Sequence, residues 1–108
     1  MTAKYVNSLP DTIKVGPYNF KVCKVEKIDE DKYFGMFHGA VEEISIVLNQ
    51  PSKTRAADTL MHELLHAIWY VSGPNGEEEE MVSCLATALV MVFKDNPELL
   101  TWFKRAND

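Results

Sequence analysis

Residues 59–70 read Thr59-Leu60-Met61-His62-Glu63-Leu64-Leu65-His66-Ala67-Ile68-Trp69-Tyr70, an apolar segment of helical period with His-Glu-x-x-His inside it. On an α-helix, His62 and His66 stand one turn apart on the same face. That spacing lets two imidazole nitrogens reach one small cation. Glu63 follows His62 by one residue and points about 100° away from it. It therefore lies beside the cation, placed to hold and deprotonate a water molecule there. The pattern fixes three positions and arises by chance in roughly one chain of this length in several hundred, so its context has to decide. The competing reading is a core helix with two incidental histidines. Buried histidines and glutamates need partners, and three such groups within five residues of an apolar helix are hard to satisfy without a metal.

The remaining composition narrows the class. A chain of 108 residues holds one domain with one modest core. With 46% hydrophobic and 25% charged residues it reads as globular. A net charge of −5 with no Lys/Arg cluster argues against a nucleic-acid partner. The opening Met1-Thr2-Ala3-Lys4-Tyr5 begins no apolar run, so no signal peptide is expected. The longest apolar run, 81–93, is broken by Ser83 and Thr87 and is too short to span a bilayer. Cys23 and Cys84 then read as free thiols in a reducing, cytoplasmic compartment.

Residues 1–11 read as a lead-in closed by Pro10-Asp11. Ile13 and Val15 alternate with polar neighbours, Gly16-Pro17 turns the chain, and Tyr18, Phe20 and Val22 alternate again. The spacing predicts a hairpin of strands over 12–15 and 18–26. An acidic loop follows over 28–32, then an aromatic strand over 33–38, broken by Gly35 and ended by Gly39. Ile44, Ile46 and Leu48 predict a fourth strand with one buried face. Asn49-Gln50-Pro51-Ser52 ends it and starts the main helix, about 53–71, with Ser52 or Thr54 as N-cap. Ser72-Gly73-Pro74-Asn75-Gly76 stops that helix. A second helix starts between Pro74 and Glu77 and runs to Lys94. Asn96 and Pro97, as N-cap and first helical position, open a third, to about 106, that carries Leu99, Leu100, Trp102 and Phe103. The expected fold is α+β, one domain with a small antiparallel sheet of about four strands followed by three helices.

A catalytic zinc site needs three protein ligands and an open position. His38, the one remaining histidine, lies upstream, which excludes motifs whose third ligand is a histidine downstream. Downstream stands the acidic run Glu77-Glu78-Glu79-Glu80. A short glycine-containing turn predicts that the second helix returns antiparallel against the first, so that a glutamate one to two turns in faces His62 and His66. The residues alone leave Glu78, Glu79 and Glu80 open, and acids also favour a helix N-terminus for dipole reasons.

Glu79-Glu80-Met81-Val82-Ser83-Cys84-Leu85-Ala86 resembles the second motif of the gluzincins, Glu-x-x-x-Asp/Asn on the helix after His-Glu-x-x-His. The likeness is to the small phage and mobile-element metallopeptidases of the ImmA/IrrE type. Their Glu-x-x-Ala-Asn-x-Phe-Ala falls on Glu79, Val82, Ser83, Leu85 and Ala86. It takes in the strand at 44–48 and covers about residues 43–93. Two positions depart from it. Leu65 stands where the family often has glycine, and Ser83 stands where an Asp or Asn would orient a liganding imidazole. Asp58, one turn before His62, is an alternative source of that carboxylate, though an acid in the first turns of a helix is ordinary.

The resemblance implies a minimal zincin-like domain holding Zn²⁺ through His62, His66 and Glu79, with Glu63 as general base. It implies a metallopeptidase that cleaves a specific protein or peptide substrate, often a repressor or other regulator. Zincins usually add a second electrophile, for which His38, Tyr33 and Tyr70 are the candidates; each also has an ordinary role as turn, strand or core residue. Cys84 falls about 140° round the helix from Glu79, which makes it a bystander, and Leu85, Leu89, Val92 and Phe93 read as core. Two other functions compete. One is a zinc-binding interaction module that has lost proteolysis, for which Ser83 and the short chain speak. The other is a structural protein with an accidental motif. An intact Glu63 speaks against the first of these, because a structural zinc site has no use for it.

Overall fold

The computed structural model describes residues 2–73 and 77–107. Strands β1 (Thr12–Val15) and β2 (Tyr18–Val25) form the expected antiparallel hairpin, with Ile13 paired to Phe20 and Val15 to Tyr18. Ile13, Val15, Phe20 and Val22 point to one face and are buried, while Thr12, Lys14, Asn19 and Lys21 point out. This is the period of two that a half-buried strand demands. Gly16 turns the hairpin at φ +59°, and a Cβ there would also stand 2.9 Å from Val71 Cγ1.

Strands β3 (Gly35–His38) and β4 (Glu43–Val47) form a second antiparallel hairpin, joined by a 3₁₀ turn over 39–41. The strand order is β1-β2-β4-β3, and β4 runs parallel to β2. The sheet is therefore mixed, which corrects the expectation of a wholly antiparallel one. Burial accounts for the difference. Ile44 and Ile46 are fully buried and Val47 nearly so, whereas no residue of β3 is. The more apolar strand takes the central place beside β2 and leaves β3 at the edge. With β4 there, the sense of the β3–β4 hairpin makes the central pair parallel.

The first eleven residues are more than a lead-in. Helix α1 (Ala3–Asn7) turns Tyr5 and Val6 into the core, with Leu9 behind them. Five residues are too short for a helical period to show in sequence. The Tyr5 ring stacks on Trp102 with centroids 4.2 Å apart, the Tyr5 hydroxyl donates to the Trp102 carbonyl at 2.7 Å, and the Trp102 indole N–H donates back to the Tyr5 carbonyl at 2.8 Å. These bonds tie the start of the chain to its end.

Helix α2 (Lys53–Ser72) crosses the buried face of the sheet. Ser52 caps it, its hydroxyl accepting the Arg55 N–H at 3.0 Å, and Gly73 ends it at φ +55° with its N–H on the Trp69 carbonyl. Ala56, Leu60, Leu64, Ala67 and Ile68 are fully buried along one stripe. Each large side chain among them contributes about 1.5–3 kcal/mol of burial. The histidine face is exposed, so the helix is less evenly apolar in its surroundings than its sequence suggests.

Helix α3 (Glu78–Asp95) fully buries only Val92. The expected stop at Pro74-Asn75-Gly76, and any helical start there, lie outside the described residues. Helix α4 (Pro97–Lys104) follows as expected, with a 3₁₀ turn over 105–107. Asn96 precedes it but makes no side-chain cap. Its amide instead donates to the carbonyls of Lys14 and Val92, each at 2.8 Å, and accepts the Lys14 N–H at 2.9 Å. Strand β1 is an edge whose backbone groups need partners; Asn96 supplies them as a neighbouring strand would. Among the described residues, no helix is long and apolar enough to cross a membrane.

Candidate metal centre

The stripe that buries Leu60, Leu64 and Ile68 leaves His62 and His66 on the outer face of α2. Their Nε2 atoms stand 3.3 Å apart. Two nitrogens, each about 2.0–2.1 Å from a tetrahedral zinc ion, are themselves about 3.3–3.4 Å apart. The pair thus has the spacing of two zinc ligands, and the residues fit the ion on this count. A direct N–H···N bond at that length would be long. The Phe37 ring lies nearly parallel to the His66 imidazole, 11° between planes and 6.4 Å between centroids, and supports it from β3.

Glu63 sits between helix and sheet and is only 6% exposed. Burial raises its carboxyl above the ordinary carboxylate range, while His62, His66 and His38 pull it part of the way back. Its carboxylate reaches solvent through two adjoining clefts between β3 and α2. One, of about 330 Å³, is lined by Lys32, Arg55 and Asp58 among others; the second, of about 370 Å³, by Met36, Phe37 and His66. Tyr33, Gly35, His62 and Glu63 line both. Leu65 and Trp69 form a third, more apolar cleft on the other side of the two histidines.

The height of β3 above the helix is set by Gly35, Thr59 and Gln50. Gly35 was expected only to break its strand. A Cβ there would lie 2.6 Å from Thr59 Cγ2 and 3.1 Å from Glu63 Cγ, so the backbone of β3 rests directly on α2. Thr59 cannot turn away freely, because its single hydroxyl proton is shared between two acceptors, Gln50 Oε1 and the Arg55 carbonyl, both at 2.9 Å. Gln50 in turn donates to the carbonyls of Val47 and Phe34, at 3.0 and 3.4 Å. Gln50 and Thr59 are both buried. A buried polar pair between a strand end and a helix leaves no periodic signal; only the single glycine in an aromatic strand hinted at the close approach.

The other expected site residues fall as follows. Tyr33 lies at the clefts, 42% exposed. Tyr70 packs edge-on against Phe37 and covers Gly39, where a Cβ would meet its ring at 2.6 Å. His38 is exposed at the end of β3. Asp58 shares a cleft with His62 and Glu63. Glu79 is exposed in the first turn of α3, and Ser83, one turn on, lines an apolar cleft of about 440 Å³ with Cys84, Val71 and Val15. Cys23 and Cys84 are unpaired by any disulfide. Among the described residues, no three His, Cys, Asp or Glu side chains converge as a complete ligand set. The structure thus brings together His62, His66, Glu63, Tyr33 and Asp58, and places Glu79 and Ser83 outside the clefts around them. Comparison of the chain with protein-family models, with curated proteins and with solved structures gave no match.

Proposed function

We propose that this chain is a zinc-dependent metallopeptidase that hydrolyses a peptide bond in a specific protein substrate, such as a cytoplasmic repressor or other regulator. The observation that carries the reading is the 3.3 Å spacing of the His62 and His66 Nε2 atoms beside a buried Glu63, at the floor of clefts under an edge strand. His62 and His66 would hold the ion; the motif resemblance alone assigns the third position to Glu79, which stands in the first turn of α3 outside these clefts. When bound, zinc supplies Lewis acidity towards a carbonyl and a water molecule. Glu63 accepts the proton of the attacking water at its carboxylate and delivers it to the departing amine nitrogen. Its burial, by raising the carboxyl, brings it closer to the pKa that such a base needs.

The sheet supplies the means of aligning a peptide. Asn96 closes the β1 edge, whereas no strand covers the outer side of β3 among the described residues. An extended chain laid along β3 gains backbone hydrogen bonds and passes over Glu63. Tyr33, at the mouth of both clefts, is the best placed of His38, Tyr33 and Tyr70 to meet the developing charge.

The second reading is a zinc-binding interaction module without proteolysis. Ser83 favours it, as it stands where a carboxylate or amide would steady a ligand and lines the apolar cleft instead. Replacing Glu63 by Gln separates the two. The variant should keep its zinc and its fold and lose cleavage, with kcat down on the order of 10²-fold or more. If the Gln form cleaves as fast as the parent, Glu63 is not the base. If both forms hold zinc and cleave nothing across a proteome, the interaction module is the better account.

A further inference from the structure

The cleft on the N-terminal side of His62 has a chemistry of its own. Lys32 and Arg55 enter it from opposite walls, one from the loop before β3 and one from the first turn of α2. The Lys32 ammonium stands 5.4 Å over the Tyr33 ring, and the Arg55 guanidinium 5.9 Å from the Phe34 ring centre. These aromatic contacts hold the two cations against the cleft without consuming their N–H donors. Two acids share the cleft, Asp58 and Glu63. Yet the ion pairs among the described residues are Lys14–Asp95, Lys24–Asp11 and Lys27–Glu30, so neither Lys32 nor Arg55 has a carboxylate of a described residue within 4 Å. The cleft thus gathers two of the chain's eleven Lys and Arg side chains beside Glu63.

We propose that Lys32 and Arg55 form a carboxylate-binding subsite beside the proposed catalytic centre, and so select substrates that carry an anionic group on that side of the cleaved bond. The inference rests on the metallopeptidase reading and narrows it to acidic substrates. The planar fork of Arg55 suits a carboxylate's two oxygens, and Lys32 adds a point charge from the facing wall. The carboxylate comes from an Asp or Glu side chain or from a free C-terminus. Asp58 opposes it at longer range and tunes the subsite downwards.

The test uses zinc-loaded Glu63→Gln protein, which binds without turnover, and three matched pools of random decapeptides. One pool is amidated and has no acidic residue, one is amidated with a single Glu, and one has no acidic residue but a free C-terminal carboxyl. At least one carboxylate pool should bind roughly tenfold more tightly than the neutral pool, and which one does so identifies the source. Adding Lys32→Gln or Arg55→Gln should erase most of the difference, and adding Asp58→Asn should widen it. Equal binding of all pools, or a preference that survives both cation substitutions, overturns the subsite. The same pools are offered to the parent protein with zinc measured alongside. Cleavage without acid preference then defeats the subsite alone, whereas no zinc and no cleavage defeats the metallopeptidase reading as well.

Discussion

Substituting Gly35 by Ala probes the contact that holds strand and helix together over the proposed base. Its φ is not in the left-handed region, so alanine meets no backbone strain, only space. The new Cβ would stand 2.6 Å from Thr59 Cγ2, about 1 Å short of ordinary carbon contact. Either β3 lifts, or Thr59 turns and gives up its bonds to Gln50 and to the Arg55 carbonyl. Overpacking of this kind costs about 1–3 kcal/mol. Against it, removing glycine from the unfolded chain returns about 0.4–1 kcal/mol. A net loss of about 1–2 kcal/mol follows, or roughly 5–10 °C in Tm for a domain of this size. Thr59→Ser identifies the cause, since serine keeps the hydroxyl and removes the colliding methyl. Alone it should cost about 1 kcal/mol for a buried methyl; in the Gly35→Ala background it should cost nothing or restore stability. Denaturant unfolding of the four proteins then gives a coupling of about 1 kcal/mol or more. Costs that add to within about 0.5 kcal/mol would refute the contact.

Asn96→Ala removes three hydrogen bonds and leaves the Lys14 backbone without its partner; a loss of about 2–4 kcal/mol in denaturant unfolding is expected. Glu63 links stability to pH. Its carboxyl is raised in the folded protein, which therefore holds the proton more tightly than the unfolded chain. The metal-free protein should gain stability from this group as pH falls through the raised value, and lose it as pH rises. Glu63→Gln should remove that slope and leave the metal-free protein more stable at neutral pH, read as Tm against pH; a less stable variant with an unchanged slope contradicts the burial argument.

The main helix was the most legible part of the sequence. Its caps, Ser52 and Gly73, and its apolar period lie within twenty-odd contiguous residues, and His62, Glu63 and His66 come with it. The hairpin at 12–25 was equally plain, because alternation and Gly16 are local signals. Sheet order was not, since the choice between β3 and β4 for the central place turns on which of them pairs with β2, a contact between residues distant in sequence. Tyr5 with Trp102 and Asn96 with Lys14 escaped for the same reason: each pair is more than eighty residues apart. At the candidate site, side chains one helix brings together were readable. The support from Gly35, Thr59 and Gln50 was not, because a buried hydrogen-bond network across elements has no period.

Zinc binding to the purified chain tests the central claim most directly. Metal-stripped protein is titrated with zinc, and the first coordination shell is read by X-ray absorption at the zinc edge. About one ion per chain is expected, held by two imidazole nitrogens and carboxylate oxygen. His62→Ala and His66→Ala should each abolish tight uptake, and Glu79→Ala should weaken it far more than Glu77→Ala or Glu78→Ala. No uptake by the parent, or uptake that both histidine variants retain, would contradict the account.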